Sequence, residues 1–223
     1  AKIDGNIFLQ NGIQAYIEGG EIDGRIRMTK GSFTMSGGTI HGGTANDEEI
    51  NYFGTNGGGV SVEGGNFTMT GGSITGNNAN GNGGGVYVSG GTFTMNGGTI
   101  TSNNSNNGGG IYVNGGTVTV ELGNIDSNTA ISNGGGIAIE ESGNYIMNGG
   151  YLSNNSSTNG NGGGIYMAGL FETLLLAGAT LEKAAYDDSQ VKKNKETDEY
   201  KEEYEDFLND FEEHTCMSVA IWA

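Results

Sequence analysis

Residues 83–107 read GGGVYVSGGTFTMNGGTITSNNSNN, and the placement of apolar residues inside this stretch decides the fold. Val86 and Val88 flank Tyr87, Phe93 and Met95 alternate with Thr92 and Thr94, and Ile100 follows Gly97-Gly98. A period of two sends alternate side chains of a strand to opposite faces. Val86, Val88, Phe93, Met95 and Ile100 therefore share one face, while Tyr87, Thr92 and Thr94 share the other. Gly and Asn clusters separate the runs and mark turns. The stretch reads as short strands carrying a single apolar face.

Such a unit cannot bury its apolar face alone, and the chain repeats it. Gly triplets begin at 57, 83, 108, 134 and 162, with steps of 26, 25, 26 and 28 residues. A fixed period of this size is the mark of stacked units. Aligning the units gives columns: Phe33, Phe67, Phe93, Val118, Tyr145; Met35, Met69, Met95, Val120, Met147; and Ile40, Ile74, Ile100, Ile125, Leu152. The sequence predicts an all-β, parallel β-helix of three-sided coils, with three short strands per coil. IEGGEI at 17–22 matches MSGGTI at 35–40, Ile26-Arg27-Met28 matches Val86-Tyr87-Val88, and Ile7 with Leu9 suggests a further partial coil. TLLLAGATL at 173–181 matches TFTMNGGTI at 92–100, giving about seven coils over residues 1–182. The long turn HGGTANDEEINYFGTN is the largest insertion and the expected projecting loop. Asn77-Asn78, Asn103-Asn104 and Asn128 each fall three residues after the third-column residue, and Asn154-Asn155 appears one residue early. These asparagines read as a ladder of turns.

Composition narrows the function classes. The formal charge is −17, which argues against nucleic acid and anionic membrane surfaces as partners. No Lys or Arg occurs between Lys30 and Lys183, so the repeat body has a polar, nearly uncharged surface. No apolar run approaches a membrane span. Ala1-Lys2 leads straight into IDGNIFLQNG, so a leader is expected to have been removed or never present.

The motifs GGG[VI]xV, xFTM, GG[TS]I and IxxNN resemble the right-handed parallel β-helix repeats of bacterial surface and secreted proteins, including adhesin-like ones. The resemblance covers roughly residues 14–181. It implies a right-handed coil, a secreted or cell-surface location in a bacterium, and a structural or adhesive role. The same fold also hosts polysaccharide lyases and hydrolases, which makes a carbohydrate-active enzyme the alternative.

Catalytic chemistry finds little support in the residues. A lyase acting on acidic sugars needs a basic proton acceptor, and the body holds none. Glu48-Glu49 and Glu140-Glu141 are neighbours in sequence, and such neighbours on a strand or loop ordinarily point apart, unlike the paired carboxylates of a glycosidase. His41 and His214 are too few for a metal motif, Cys216 has no partner triad, and no Lys-Ser/Thr follows any triplet. The expectation is a protein without catalytic residues, cofactor or metal.

Two outward ladders remain as candidate ligand surfaces. Tyr87, Tyr112 and Tyr166 occupy one column with Ser61 and Ala138, and stacked tyrosines suit sugar rings or a protein partner. Ser32/Thr34, Asn66/Thr68, Thr92/Thr94 and Thr117/Thr119 form the other. A flat T-x-T array also resembles an ice-binding face, a less favoured reading.

Composition changes at Lys183: residues 183–223 hold 5 Lys and 12 Asp/Glu. Tyr200, Tyr204, Phe207, Leu208 and Phe211 fall at helical spacing behind a Thr197 N-cap. An acidic amphipathic helix followed by a short strand, CMSVAIW at 216–222, is expected to cap the coil end or bind a partner. The N-terminal coil has no comparable cover, so head-to-tail self-association through it is a further expectation.

Overall fold

The computed structural model describes residues 1–46, 54–140, 142–168, 173–176 and 180–181. The chain divides into two compact units, Ala1–Ala185 and Tyr186–Ala223. The second unit, with the expected helix and terminal strand, lies outside the described residues.

The first unit is a parallel β-solenoid. Its strands form three sheets of 13, 7 and 5 strands, and every strand pairing is parallel. The seven-stranded sheet stacks Ile7–Leu9, Ile26–Met28, Val60–Val62, Val86–Val88, Ile111–Asn114, Ile137–Glu140 and Ile165–Ala168. The largest sheet holds two neighbouring columns, the xFTM strands and the GGTI strands. Thr92–Thr101 and Thr117–Asp126 run through both as ten-residue strands.

The register is the one that the aligned repeats predict. Phe67 pairs with Phe33 and Phe93, Met69 with Met35 and Met95, and Ile74 with Ile40 and Ile100. Parallel strands in register place like on like, so the core is a set of columns rather than an interdigitated mixture. The rings of Phe67 and Phe93 stack with centroids 4.8 Å apart, close to the spacing of hydrogen-bonded strands. Phe67, Phe93, Met35, Met69, Met95, Ile40, Ile74, Ile100 and Ile125 are fully buried. Each such side chain contributes about 1.5–3 kcal/mol relative to exposure.

Two sequence expectations need correction. A fourth short strand follows the expected three: Thr44–Ala45, Asn78–Ala79, Asn104–Ser105, Thr129–Ala130 and Ser156–Ser157 make the five-stranded sheet. Only two residues long, these strands carry no apolar alternation visible in sequence. The asparagine ladder is also in register throughout. Asn155, not Asn154, continues Asn77, Asn103 and Asn128, each three residues after its column residue. Asn154 takes the left-handed position held elsewhere by Gly76, Ser102 and Ser127, with φ of 51° beside 66°, 57° and 54°.

Candidate functional site

The interior asparagine ladder fixes the corner between the largest sheet and the smallest. Asn77, Asn103, Asn128 and Asn155 are wholly buried. Asn103 Oδ1 accepts from the backbone N and the Nδ2 of Asn77, both at 3.0 Å. Its own Nδ2 donates to Ile74 O and to Asn128 Oδ1, both at 3.0 Å. An amide has two donor hydrogens and two acceptor lone pairs, and all four are used here. These residues belong to the core, which corrects the reading of them as a ladder of turns.

At the N-terminal end of this ladder the slot changes character. Gly43 takes the asparagine position and its N donates to Asn77 Oδ1 at 3.0 Å. One coil earlier the slot belongs to Arg25, 1 % exposed. Its guanidinium donates to Gly57 O at 3.0 Å, Gly54 O at 3.1 Å and Asn56 O at 2.7 Å. A buried charge thus ties down the segment that returns from the long insertion.

The tyrosine column lies on the outer side of the seven-stranded sheet, where Tyr87 and Tyr112 stack at 5.6 Å and 13°. It is not an open face. The first glycine of each triplet turns back over this side with φ of +62° to +71°. A Cβ added at Gly83, Gly108 or Gly134 would lie 2.8–2.9 Å from the Cβ of Tyr87, Tyr112 or Ala138. Under this cover Ser61 is 1 %, Tyr112 3 % and Ala138 0 % exposed, while Tyr87 and Tyr166 are half-buried. Tyr112 Oη donates to Glu140 Oε2 at 2.7 Å. Further along, Arg27 forks onto Glu63 with two 2.7 Å bonds and sits 5.4 Å from the Phe8 ring. The bond to Glu63 raises the Arg27 pKa further above its already high value.

The hydroxyl ladder is open by comparison. Thr68, Thr92, Thr94, Thr117 and Thr119 are half-buried and in register from coil to coil. Thr92 Oγ1 donates to Asn66 Oδ1 at 2.8 Å. A second hydroxyl column runs beside it, with Thr99 and Thr101 opposite Ser73 and Thr75. The sequence signal for it was the hydroxyl residue on each side of Ile74 and Ile100.

An Asn immediately precedes each Gly triplet, a periodic signal in the sequence beyond the triplets themselves. Asn56, Asn82, Asn107, Asn133 and Asn161 form a second amide column: Asn82 N donates to Asn56 Oδ1 at 2.8 Å, and Asn107 Nδ2 to Asn82 Oδ1 at 2.9 Å. Asn133 N then donates to Asn107 Oδ1 at 3.0 Å, and Asn161 N to Asn133 Oδ1 at 2.9 Å.

The described carboxylates of the body are dispersed among other partners. Glu63 holds Arg27, Glu140 holds Tyr112, Glu121 accepts from Asn148 Nδ2 at 2.9 Å, and Asp126 accepts from Ser127, Ser153 and Asn154. Burial alone would raise the Asp126 pKa, but those three bonds outweigh it and hold the carboxyl below its ordinary value. His41 lies 3.9 Å from Glu21 and 3.8 Å from Asp23, which bonds Lys2 at 2.9 Å. Among the described residues no three His, Cys, Asp or Glu side chains gather into a metal-binding group. No helix among them is long and apolar enough to cross a membrane. No family model matches the chain, and neither the curated proteins nor the solved structures contain a significant match to it.

Proposed function

We propose that this protein is a non-enzymatic structural or adhesive element of a bacterial surface or secretome, presenting its outward ladders to a glycan, a protein or a like subunit. In this reading the coil is right-handed, and the acidic segment 183–223 forms a helix and strand that cap it. The supporting observation is the in-register array of uncharged side chains at Thr68, Thr92, Thr94, Thr117 and Thr119. A regular array on a parallel sheet repeats about every 4.8 Å, which suits a partner that is itself repetitive. Of the tyrosines, Tyr87 and Tyr166 supply accessible area, and Tyr112 stacks against Tyr87 from the adjacent coil.

The test is glycan-array binding of the purified chain beside two variants, Thr92→Val/Thr94→Val/Thr117→Val/Thr119→Val and Tyr87→Ala/Tyr166→Ala. Binding by the native chain that either variant loses supports the adhesive reading and says which ladder carries it. The same threonine array favours ice binding as a second reading. Thermal hysteresis in the native chain, abolished by the threonine variant, would replace the first reading with the second.

A further inference from the structure

The five-stranded sheet and the asparagine column beside it form a side of the solenoid that neither ladder occupies. The segments 76–85, 102–110, 127–136 and 154–164, one from each of four consecutive coils, contain no Asp, Glu, Lys, Arg or His. They are built from Asn, Ser, Thr, Gly, Ala and the single Ile131, within a chain of net charge −17. We propose that this side binds a neutral polysaccharide laid across successive coils. The proposal rests on the adhesive reading above and gives it a ligand class and a surface.

Local geometry aims the polar groups outward. In the two-residue strands Ala79, Ser105 and Ala130 are buried, so their neighbours Asn78, Asn104 and Thr129 face out. Asn104 Nδ2 donates to Asn78 Oδ1 at 3.1 Å. Ser132 Oγ donates to Asn106 Oδ1 at 3.0 Å. These bonds orient the amides along the ladder and leave each with donor or acceptor capacity for a ligand. Groups held in place before binding lose less rotamer freedom when the ligand arrives.

The chemistry of the side selects among partners. Nucleic acid requires cations at the phosphates, and these segments have none. An anionic polymer finds no counter-charge, and a cationic one meets Asp126 at the edge of these segments, where Ser127, Ser153 and Asn154 already hold the carboxylate. A protein partner needs aromatic or Arg anchors at its centre, whereas the large apolar side chain exposed on these segments is Ile131, at 56 %. Sugar hydroxyls both donate and accept, which matches an array of amides and hydroxyls. Single contacts of this kind are weak, and repetition over the coils multiplies them.

Affinity electrophoresis tests the assignment, with the full chain run through gels containing galactomannan, hydroxyethyl cellulose, soluble starch or polygalacturonate, each at low and high salt. The variants are Asn78→Ala/Asn104→Ala/Thr129→Ala, Thr92→Val/Thr94→Val on the threonine ladder, and, as a control outside both surfaces, Asn96→Ala/Leu122→Ala at two exposed paired positions of the largest sheet. Melting curves confirm that all three variants fold. The expected result is retardation by at least one neutral polymer, insensitive to salt, weakened about tenfold in the triple alanine variant and unchanged in the Asn96/Leu122 control. Retardation lost only in the threonine variant would keep the adhesive reading and overturn this surface. Retardation chiefly by polygalacturonate, or suppressed by salt, would overturn the neutral class. No retardation by any polymer would remove glycan adhesion and this proposal together.

Discussion

Arg25 and Gly43 occupy successive positions of one column, and the arginine side chain fills space that any side chain at Gly43 would need. A Cβ at Gly43 would lie 3.0 Å from Arg25 Cγ and would collide with the Gly58 carbonyl oxygen. The asparagine ladder therefore starts at Asn77, and Arg25 replaces it with a different device. Its guanidinium satisfies the carbonyls of Gly54, Asn56 and Gly57.

Arg25→Met keeps the stem and removes those donors. Part-buried carbonyls then lose their partners, and the expected cost is about 2–3 kcal/mol, read as a lower urea midpoint. Arg27→Met is the comparison. Its ion pair with Glu63 is about a quarter exposed on each side chain, 25 % and 29 %, and its loss should cost less than about 1 kcal/mol. Equal midpoints for the two variants would show that Arg25 does not anchor the segment.

The interior ladder makes a sharper contrast between adjacent residues. Asn103→Ala removes four hydrogen bonds and leaves Ile74 O and Asn77 N without partners in the core. A loss of about 3 kcal/mol is expected, whereas Asn104→Ala, on the exposed side of the next residue, should change stability by less than about 1 kcal/mol. Urea titration of the pair decides it. Similar midpoints would mean that the buried amides contribute no more than surface ones.

Acid should unload Asp126 in a definite window. Its folded pKa lies below the ordinary 3.8, so its bonds to Ser127, Ser153 and Asn154 stabilise the fold above that value. That contribution disappears as pH falls through the folded pKa. Asp126→Asn should accordingly show a smaller drop in urea midpoint between neutral pH and the acid side of the window than the native chain does. An unchanged drop would assign the acid sensitivity to other groups.

Much of this architecture is legible because the core columns repeat with period two inside a coil and about 26 residues between coils. Phe67 over Phe33, Met95 over Met69 and Ile100 over Ile74 need no information beyond that alignment. What escaped the sequence depends on backbone path. Tyr112 alternates outward as expected, yet the returning backbone of Gly108 covers it, and no periodicity encodes that cover. Asn103 looks like a turn residue because turn and buried-corner asparagines share the same flanking glycines and serines. Arg25 breaks the asparagine pattern and so could not be aligned by it. The asparagines before the triplets stand at 56, 82, 107, 133 and 161, but an Asn-Gly step reads as turn chemistry whether or not its amide bonds along the solenoid.

Tyr145 replaces a phenylalanine in the column that Phe33, Phe67 and Phe93 begin, and it brings a hydroxyl into the core. The side chain is fully buried, and its Oη has no hydrogen-bond partner among the described residues. Burial drives the phenol pKa far up, so the group stays neutral across the working range. An unpaired buried hydroxyl costs about 1–3 kcal/mol, and Tyr145→Phe removes it while keeping the ring. The variant should therefore be more stable than the native chain, with a thermal midpoint a few degrees higher. A lower midpoint would show that the hydroxyl is bonded in solution, with a buried water in the column as the simplest partner.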